Sequence, residues 1–187
     1  MPVGREGGKR SGVEGGRWKV EGGRWEVGGG SNLRPATSWY GAELGRMRNL
    51  SRYWDISTLV IGEEVPGVFS VFIADGVDAA EKGFYFDLQR FVAEQPDEQN
   101  VRNGTDSYCV VNESGGAHYG GLKGASLLPD LLILSFKKGA VEALELPSRI
   151  IPLGIAPSVD LKALRAGLER VLTYGNRRKM PRLSLGN

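Results

Sequence analysis

Alternating apolar and polar residues run through the middle of the chain and predict β-strands. Runs rich in β-branched and aromatic residues occur at 59–61 and 68–74, with the turn pair Pro66-Gly67 between them. The stretch GFYFDLQR (83–90) alternates strictly. This alternation places two sets of side chains on opposite faces of a strand: Phe84, Phe86 and Leu88 on one, and Tyr85, Asp87 and Gln89 on the other.

The pattern continues with a polar gap and then three more strands. Residues 94–106 contain a proline and an Asn-Gly pair and predict a loop. Strands are predicted at 107–112, 118–128 and 131–136, with a Pro129-Asp130 turn between the last two.

The last third of the chain predicts two helices and one strand. A short helix at 137–146 ends at Pro147, and Pro152 directs the strand 149–155 towards a sheet edge. Ser158 is the predicted N-cap of an amphipathic helix with Asp160 in its first turn. Its apolar residues recur at helical spacing: Leu161, Leu164, Leu168, Val171 and Leu172. Together the elements predict an α+β domain, one layer of mainly antiparallel β-sheet covered by the C-terminal amphipathic helix.

The two ends of the chain differ in amino-acid composition from the predicted domain. Residues 1–46 carry the repeat VEGGRWK, VEGGRWE and are rich in glycine, which opposes a helix and leaves little to bury. We expect this segment to be a disordered low-complexity region, or translated sequence upstream of the true start, with Met47 as a later initiator. The predicted domain is 47–175, and 176–187 is a basic tail.

Charge and cysteine content narrow the possible functions. The segment 47–175 holds 12 Lys and Arg against 17 Asp and Glu, a net charge of −5, so the chain's +2 comes from its ends. An acidic domain is not expected to bind nucleic acid. One cysteine cannot form an internal disulfide, and no apolar run is long enough to span a bilayer. A cytoplasmic protein without membrane contact is predicted.

The segment SYCVVNESGGAHYGG (107–121) contains the only cysteine and the only histidine. A hairpin with a four-residue loop would pair Cys109 with Gly120 and place His118 on the same face, about 7–8 Å away along a diagonal. A loop of odd length would put the two side chains on opposite faces. A single Cys and a single His do not form a zinc site, and the glycines lack the phosphate-loop pattern, so no metal or cofactor is predicted.

Two alternatives remain open at this stage. The first is a small enzyme or ligand-binding domain that uses Cys109, His118 and Asp106. The second is a nucleic-acid-binding module built on the Arg/Trp repeat and the terminal RRKMPR (177–182).

The ordered set of segments resembles the immunity protein 10 family of bacterial polymorphic toxin systems. The resemblance covers roughly residues 59–172, and the glycine-rich N-terminus departs from it. Five stretches carry it, in this order: FYFDLQR (84–90), DEQNVRNGTDSYCVV (97–111), HYGG (118–121), LLILSFKKGAVEALELP (131–147) and DLKALRAGLERVL (160–172).

The resemblance implies a non-catalytic protein that binds and neutralises a cognate toxin domain. The expected acidic surface suits a basic cleft, which makes a nuclease the toxin class suggested by charge. The candidate toxin-binding residues are three acids of the polar loop and three residues of the neighbouring strands: Asp97, Glu98, Asp106, Tyr108, His118 and Tyr119. Gln89 and Arg90 are expected to be structural, with Arg90 pairing with Asp97 or Glu98.

Overall fold

The described part of the chain, residues 51–186 of a computed structural model, is built around two five-stranded β-sheets. Sheet A contains, in spatial order, β1 (Trp54–Ile56), β9 (Ile150–Ile155), β8 (Leu131–Phe136), β7 (Leu122–Leu128) and β10 (Arg182–Ser184). Sheet B contains β2 (Thr58–Val65), β3 (Val68–Ala74), β4 (Tyr85–Phe91), β5 (Cys109–Asn112) and β6 (Ala117–Tyr119). Neighbouring strands are antiparallel except for the pairs β1/β9 and β7/β10.

Four helices complete the described fold: α1 (Ala79–Lys82), α2 (Glu98–Asn103), α3 (Lys138–Ala143) and α4 (Leu161–Leu172). The predicted α+β class, mainly antiparallel with a C-terminal amphipathic helix, is confirmed. The expectations for residues 1–46 lie outside the described residues.

One apolar core joins both sheets and α4. The ring of Phe86 in sheet B lies 6.0 Å from that of Trp54 and 5.8 Å from that of Phe136, both in sheet A. On the same inner face of sheet B, Val71 packs against Gly167 of α4. These contacts make a single cluster of buried side chains, which the two sheets and the helix can shield from water only together.

The prediction of one β-layer is wrong, because the stretch predicted as a strand at 118–128 divides between the two sheets. Gly120 and Gly121 separate β6 of sheet B from β7 of sheet A. Gly120 has a φ of +61°, and a Cβ on Gly121 would lie 2.8 Å from the Cβ of Ala140. Only glycine fits both the backbone angle and the close approach, so this pair carries the chain from one sheet to the other.

Helix α4 begins two residues later than predicted. The N-cap is Asp160, whose carboxylate accepts hydrogen bonds from the backbone N–H of Lys162 (2.8 Å) and Ala163 (3.0 Å). Val159 and Leu164 flank this cap and are both buried in the core, as in a hydrophobic staple. The two capping hydrogen bonds accepted by the Asp160 carboxylate place the N-cap at Asp160 rather than at Ser158.

Three other segments differ from their predicted structure. The predicted loop 94–106 contains the short helix α2, because the Asn-Gly pair supplies a left-handed C-cap at Gly104. Strand β9, with Pro152, is interior rather than at an edge, and its neighbour β1 pairs only with Leu153–Ile155. The segment expected to be a basic tail supplies β10, which pairs with β7.

Candidate partner-binding surface

Cys109 and His118 lie on neighbouring strands but on opposite faces of sheet B. In the β5–β6 hairpin Cys109 pairs with Tyr119, and Val110 pairs with His118. Cys109 therefore does not pair with Gly120 as predicted: the last pair of the hairpin is Val111 with Ala117, and the five residues between these two, 112–116, are an odd number. A shift of one residue turns every side chain of a strand to the other face, so the thiol and the imidazole point apart.

The thiol environment is that of a core residue. Cys109 is buried, and its Sγ lies 3.8 Å from the carbonyl oxygen of Val110. Burial raises the pKa of the Cys109 thiol to about 11. A thiol activated for nucleophilic attack would instead have a lowered pKa and a base within hydrogen-bond reach. The geometry therefore argues against the enzyme alternative.

Asp106 is engaged within the fold. Its carboxylate is mostly buried and accepts hydrogen bonds from Lys179 Nζ (2.5 Å) and Asn176 Nδ2 (2.8 Å). These two hydrogen bonds, that of Lys179 first, lower the pKa of the Asp106 carboxyl. Both partners belong to the C-terminal segment, so this predicted contact residue fastens that segment to the start of β5.

Tyr108 is fully buried and cannot reach a partner protein in this structure. Its hydroxyl accepts a hydrogen bond from the backbone N–H of Leu122, 3.0 Å away at the start of β7. Burial also raises the pKa of the phenol above its ordinary value. Tyr108 thus links the two sheets, which corrects its expected role at the surface.

The acids Asp97 and Glu98 lie at the start of α2. Asp97 is the N-cap and accepts a hydrogen bond from the backbone N–H of Asn100 at 2.7 Å. Glu98 is exposed and pairs with Arg102 at 3.5 Å, one helical turn away. Exposed pairs of this kind contribute about 0–1 kcal/mol, so Glu98 remains free to exchange Arg102 for another cation.

Arg90 makes neither of its predicted ion pairs. Its guanidinium donates to the backbone carbonyls of Phe91, Val92 and Ala93 and lies 4.4 Å from the ring centre of Tyr174. The residue is structural, as expected, but it is held by carbonyls and an aromatic ring rather than by the acidic segment.

Tyr119 and His118 differ in what they offer to a partner. Tyr119 is 37% exposed and lies on the same face of sheet B as Cys109, at the edge strand. His118 faces the other way, towards Gly121 and Gly139 of the α3 region, and its Nδ1 is buried with no hydrogen-bond partner among residues 51–186. Of the two, Tyr119 is the better candidate for contact.

The face that carries Tyr119, which we call the outer face of sheet B, lies opposite the side covered by α4. One row of paired residues crosses it from edge to edge: Val60, Phe72, Asp87, Val111 and Ala117. None of these five side chains is fully buried. Asp87 therefore lies on the central strand, at the middle of an open, largely apolar face.

The sequence pattern already contains a signal for this surface, although Asp87 is not among the predicted site residues. The alternation in GFYFDLQR already put Asp87 on one face with Tyr85 and Gln89. The alternation alone does not give the register of the other four strands of sheet B. That register sets Asp87 beside Phe72 on one side and Val111 on the other.

The net charge of the described residues is less negative than that of the predicted domain. Residues 51–186 contain 15 Lys and Arg against 17 Asp and Glu, a net charge of −2. The C-terminal segment adds four cations that the predicted boundary left out, and the described range begins after Arg48, so −5 becomes −2. Bulk acidity is therefore a weak guide to the partner, and the local distribution of charge matters more.

Neither a metal-binding group of side chains nor a membrane-spanning helix is found within the described range. No group of three or more His, Cys, Asp or Glu residues that could hold a metal ion occurs in residues 51–186. None of the helices in that range is long and apolar enough to cross a membrane.

Comparison with known protein families gives a match to an immunity-protein family. The sequence profile of the immunity protein 10 family matches residues 56–160, more than half of the chain. No curated protein and no solved structure shows significant similarity. The matched segment runs from β1 to the N-cap of α4 and so includes all of sheet B and most of sheet A. The chain belongs to the immunity protein 10 family.

Proposed function

We propose that this protein binds a cognate toxin domain in the cytoplasm and neutralises it without catalysing a reaction. The family match over residues 56–160 carries the proposal, because the family implies an immunity protein of a toxin system. The separation of Cys109 from His118 across the sheet supports a binding role over the enzyme alternative. The buried free thiol also suits a reducing compartment.

Only the charge of this protein bears on the chemistry of the toxin. With a net charge of −2 over the described residues, overall attraction to a basic nuclease is modest. The argument for a cationic partner therefore depends on where carboxylates are exposed. Among the predicted contact residues, Asp97, Glu98 and Tyr119 are exposed, and the first two present carboxylates.

Of the four C-terminal cations in the nucleic-acid alternative, Lys179 is held by Asp106, whereas Arg177, Arg178 and Arg182 are exposed. Three exposed arginines on a fold with a net charge of −2 are weak support for that alternative. The Arg/Trp repeat itself lies outside the described residues.

Co-expression tests the proposal directly. A candidate toxin domain from a neighbouring gene is induced in a bacterial host with the full chain, with an empty vector, or with the Cys109→Ala chain. We expect the wild-type chain and Cys109→Ala to restore growth equally and to form a stable complex with the purified toxin domain. No rescue and no complex would refute the proposal, and a Cys109→Ala chain that still forms the complex but fails to restore growth would favour the enzyme alternative.

A further inference from the structure

The outer face of sheet B has a carboxylate at its centre whose hydrogen bonding is incomplete. Oδ2 of Asp87 accepts a hydrogen bond from Nε2 of Gln89 at 2.6 Å. Oδ1 is buried and has no hydrogen-bond partner among the residues that the structure describes. A buried carboxylate oxygen without a donor costs free energy, so the free protein retains a charge that its own fold does not satisfy.

No cation from the sheet itself faces this carboxylate. The strand positions of the outer face contribute no lysine or arginine, and Arg90 of the same strand points to the inner face. Burial raises the pKa of the Asp87 carboxyl, the Gln89 hydrogen bond partly offsets the rise, and the negative charge of Glu64 adds to it. The centre of the face is thus locally anionic, within a fold of nearly balanced charge.

Apart from Gln89, which donates to Oδ2, and the nearby Glu64, the side chains around the carboxylate are mainly apolar. Phe72 and Tyr85 lie in contact, with ring centres 5.2 Å apart. Val60 and Val111 lie in the same row as Asp87, and Tyr119 stands at the edge strand. A polar group ringed by partly exposed aromatic and aliphatic side chains is the usual arrangement of an interface hot spot, because the ring excludes water once a partner is seated.

We propose that the outer face of sheet B is the surface that binds the toxin domain, and that the half-buried Asp87 side chain turns Oδ1 outward to accept a hydrogen bond from a lysine or arginine of that domain. This inference rests on the proposed function and names the surface that carries it out. The charge of the face selects the occupant, since a cation supplies the donor that Oδ1 lacks. A second copy of this chain fits less well, because symmetric pairing would bring two Asp87 carboxylates into one interface.

Binding of the purified toxin domain to full-length variants, measured by calorimetry at two salt concentrations, tests the surface. We expect Asp87→Asn, which keeps the shape and can still accept from Gln89, to weaken binding at least about 30-fold, since it removes one member of a charge pair that binding desolvates. Asp87→Lys should abolish binding. Tyr119→Ala, at an exposed position that tolerates change, should weaken it about tenfold.

Two further variants separate this surface from the rest of the molecule. Asp130→Asn makes the same chemical change at the exposed turn between β7 and β8 and should leave binding within about twofold of wild type. Glu98→Gln tests the surface suggested by the sequence, and we expect an effect well below that of Asp87→Asn. Thermal melting of each variant controls for folding, and Asp87→Asn should melt no lower than wild type.

The outcomes distinguish the two proposals. Suppose that the wild-type chain binds the toxin domain and restores growth, and that the Asp87 and Tyr119 variants bind equally well. The outer face of sheet B is then not the binding surface, and the proposed function stands. If the wild-type chain neither binds nor protects, the function is wrong and the surface assignment falls with it. A chain that dimerises in the ultracentrifuge, and whose dimer Asp87→Lys dissociates, would assign the face to self-association and overturn the inference.

Discussion

At the scale of single residues, the fold decides which reactive groups are available. The lone cysteine and the lone histidine are close in sequence, yet one step in strand register turns them to opposite faces. Asp106 and Tyr108, expected at the surface, have hydrogen bonds that tie β5 to other parts of the chain. Asp87, which no sequence motif marks, is the carboxylate left with an unmet hydrogen bond.

The reactivity of Cys109 provides a residue-scale prediction. Because burial raises its pKa from 9.0 to about 11, the thiolate fraction near neutral pH is roughly a hundredfold smaller than for an unperturbed thiol. We expect alkylation of the native protein by iodoacetamide at pH 7.5 to be at least that much slower than alkylation of the denatured chain. Native labelling as fast as that of the denatured chain would show that the thiol is exposed and activated.

At the scale of elements, local patterns predicted the strands and helices well and their positions in the sheets less well. The alternation at 83–90 and the leucine spacing at 161–172 correspond to β4 and α4. The short strands β1 and β10 were not predicted, because three residues each are too few to form a pattern. Pairing with neighbouring strands of sheet A stabilises β1 and β10, and no local propensity predicts them.

Helix α4 gives a prediction in which packing and propensity oppose each other. Gly167→Ala should favour the helix by about 1 kcal/mol. Its new Cβ, however, would lie 2.8 Å from Cγ2 of Val71 and 3.0 Å from Cδ1 of Ile61. We expect a net loss of about 1–3 kcal/mol in the free energy of unfolding, measured by urea denaturation. The exposed Ala166→Gly on the same helix is the control for propensity alone, and a more stable Gly167→Ala protein would contradict the packing argument.

At the scale of the whole molecule, segments outside the family match complete the fold. The matched residues end at 160, but Leu164, Leu168 and Leu172 of α4 are fully buried in the shared core. Beyond them, Lys179 and Asn176 bind Asp106, and β10 closes the edge of sheet A. The C-terminal segment is therefore part of the domain, and its cations reduce the acidity that the predicted boundary implied.

The link between Asp106 and the C-terminal segment provides a prediction at this scale. Since the pKa of Asp106 is lowered in the folded protein, its contribution to stability is present above its ordinary pKa of 3.8 and is lost as the pH falls through the lowered value. Asp106→Ala should reduce the free energy of unfolding by about 1–3 kcal/mol at pH 7. The deficit relative to wild type should shrink below pH 4. A deficit that stays constant down to pH 2 would show that the charge of Asp106 contributes nothing.

The sequence by itself determined the α+β class, the family, most strands, the amphipathic helix and the absence of an obvious cofactor motif. These properties follow from local periodicity and residue type, which every segment carries with it. Tertiary structure alone decided that the strands divide into two sheets at Gly120-Gly121, that the β5–β6 loop has odd length, and that the C-terminal segment joins the core. It also decided that Asp87 stands at the middle of an open face, because strand register depends on contacts between segments far apart in the chain.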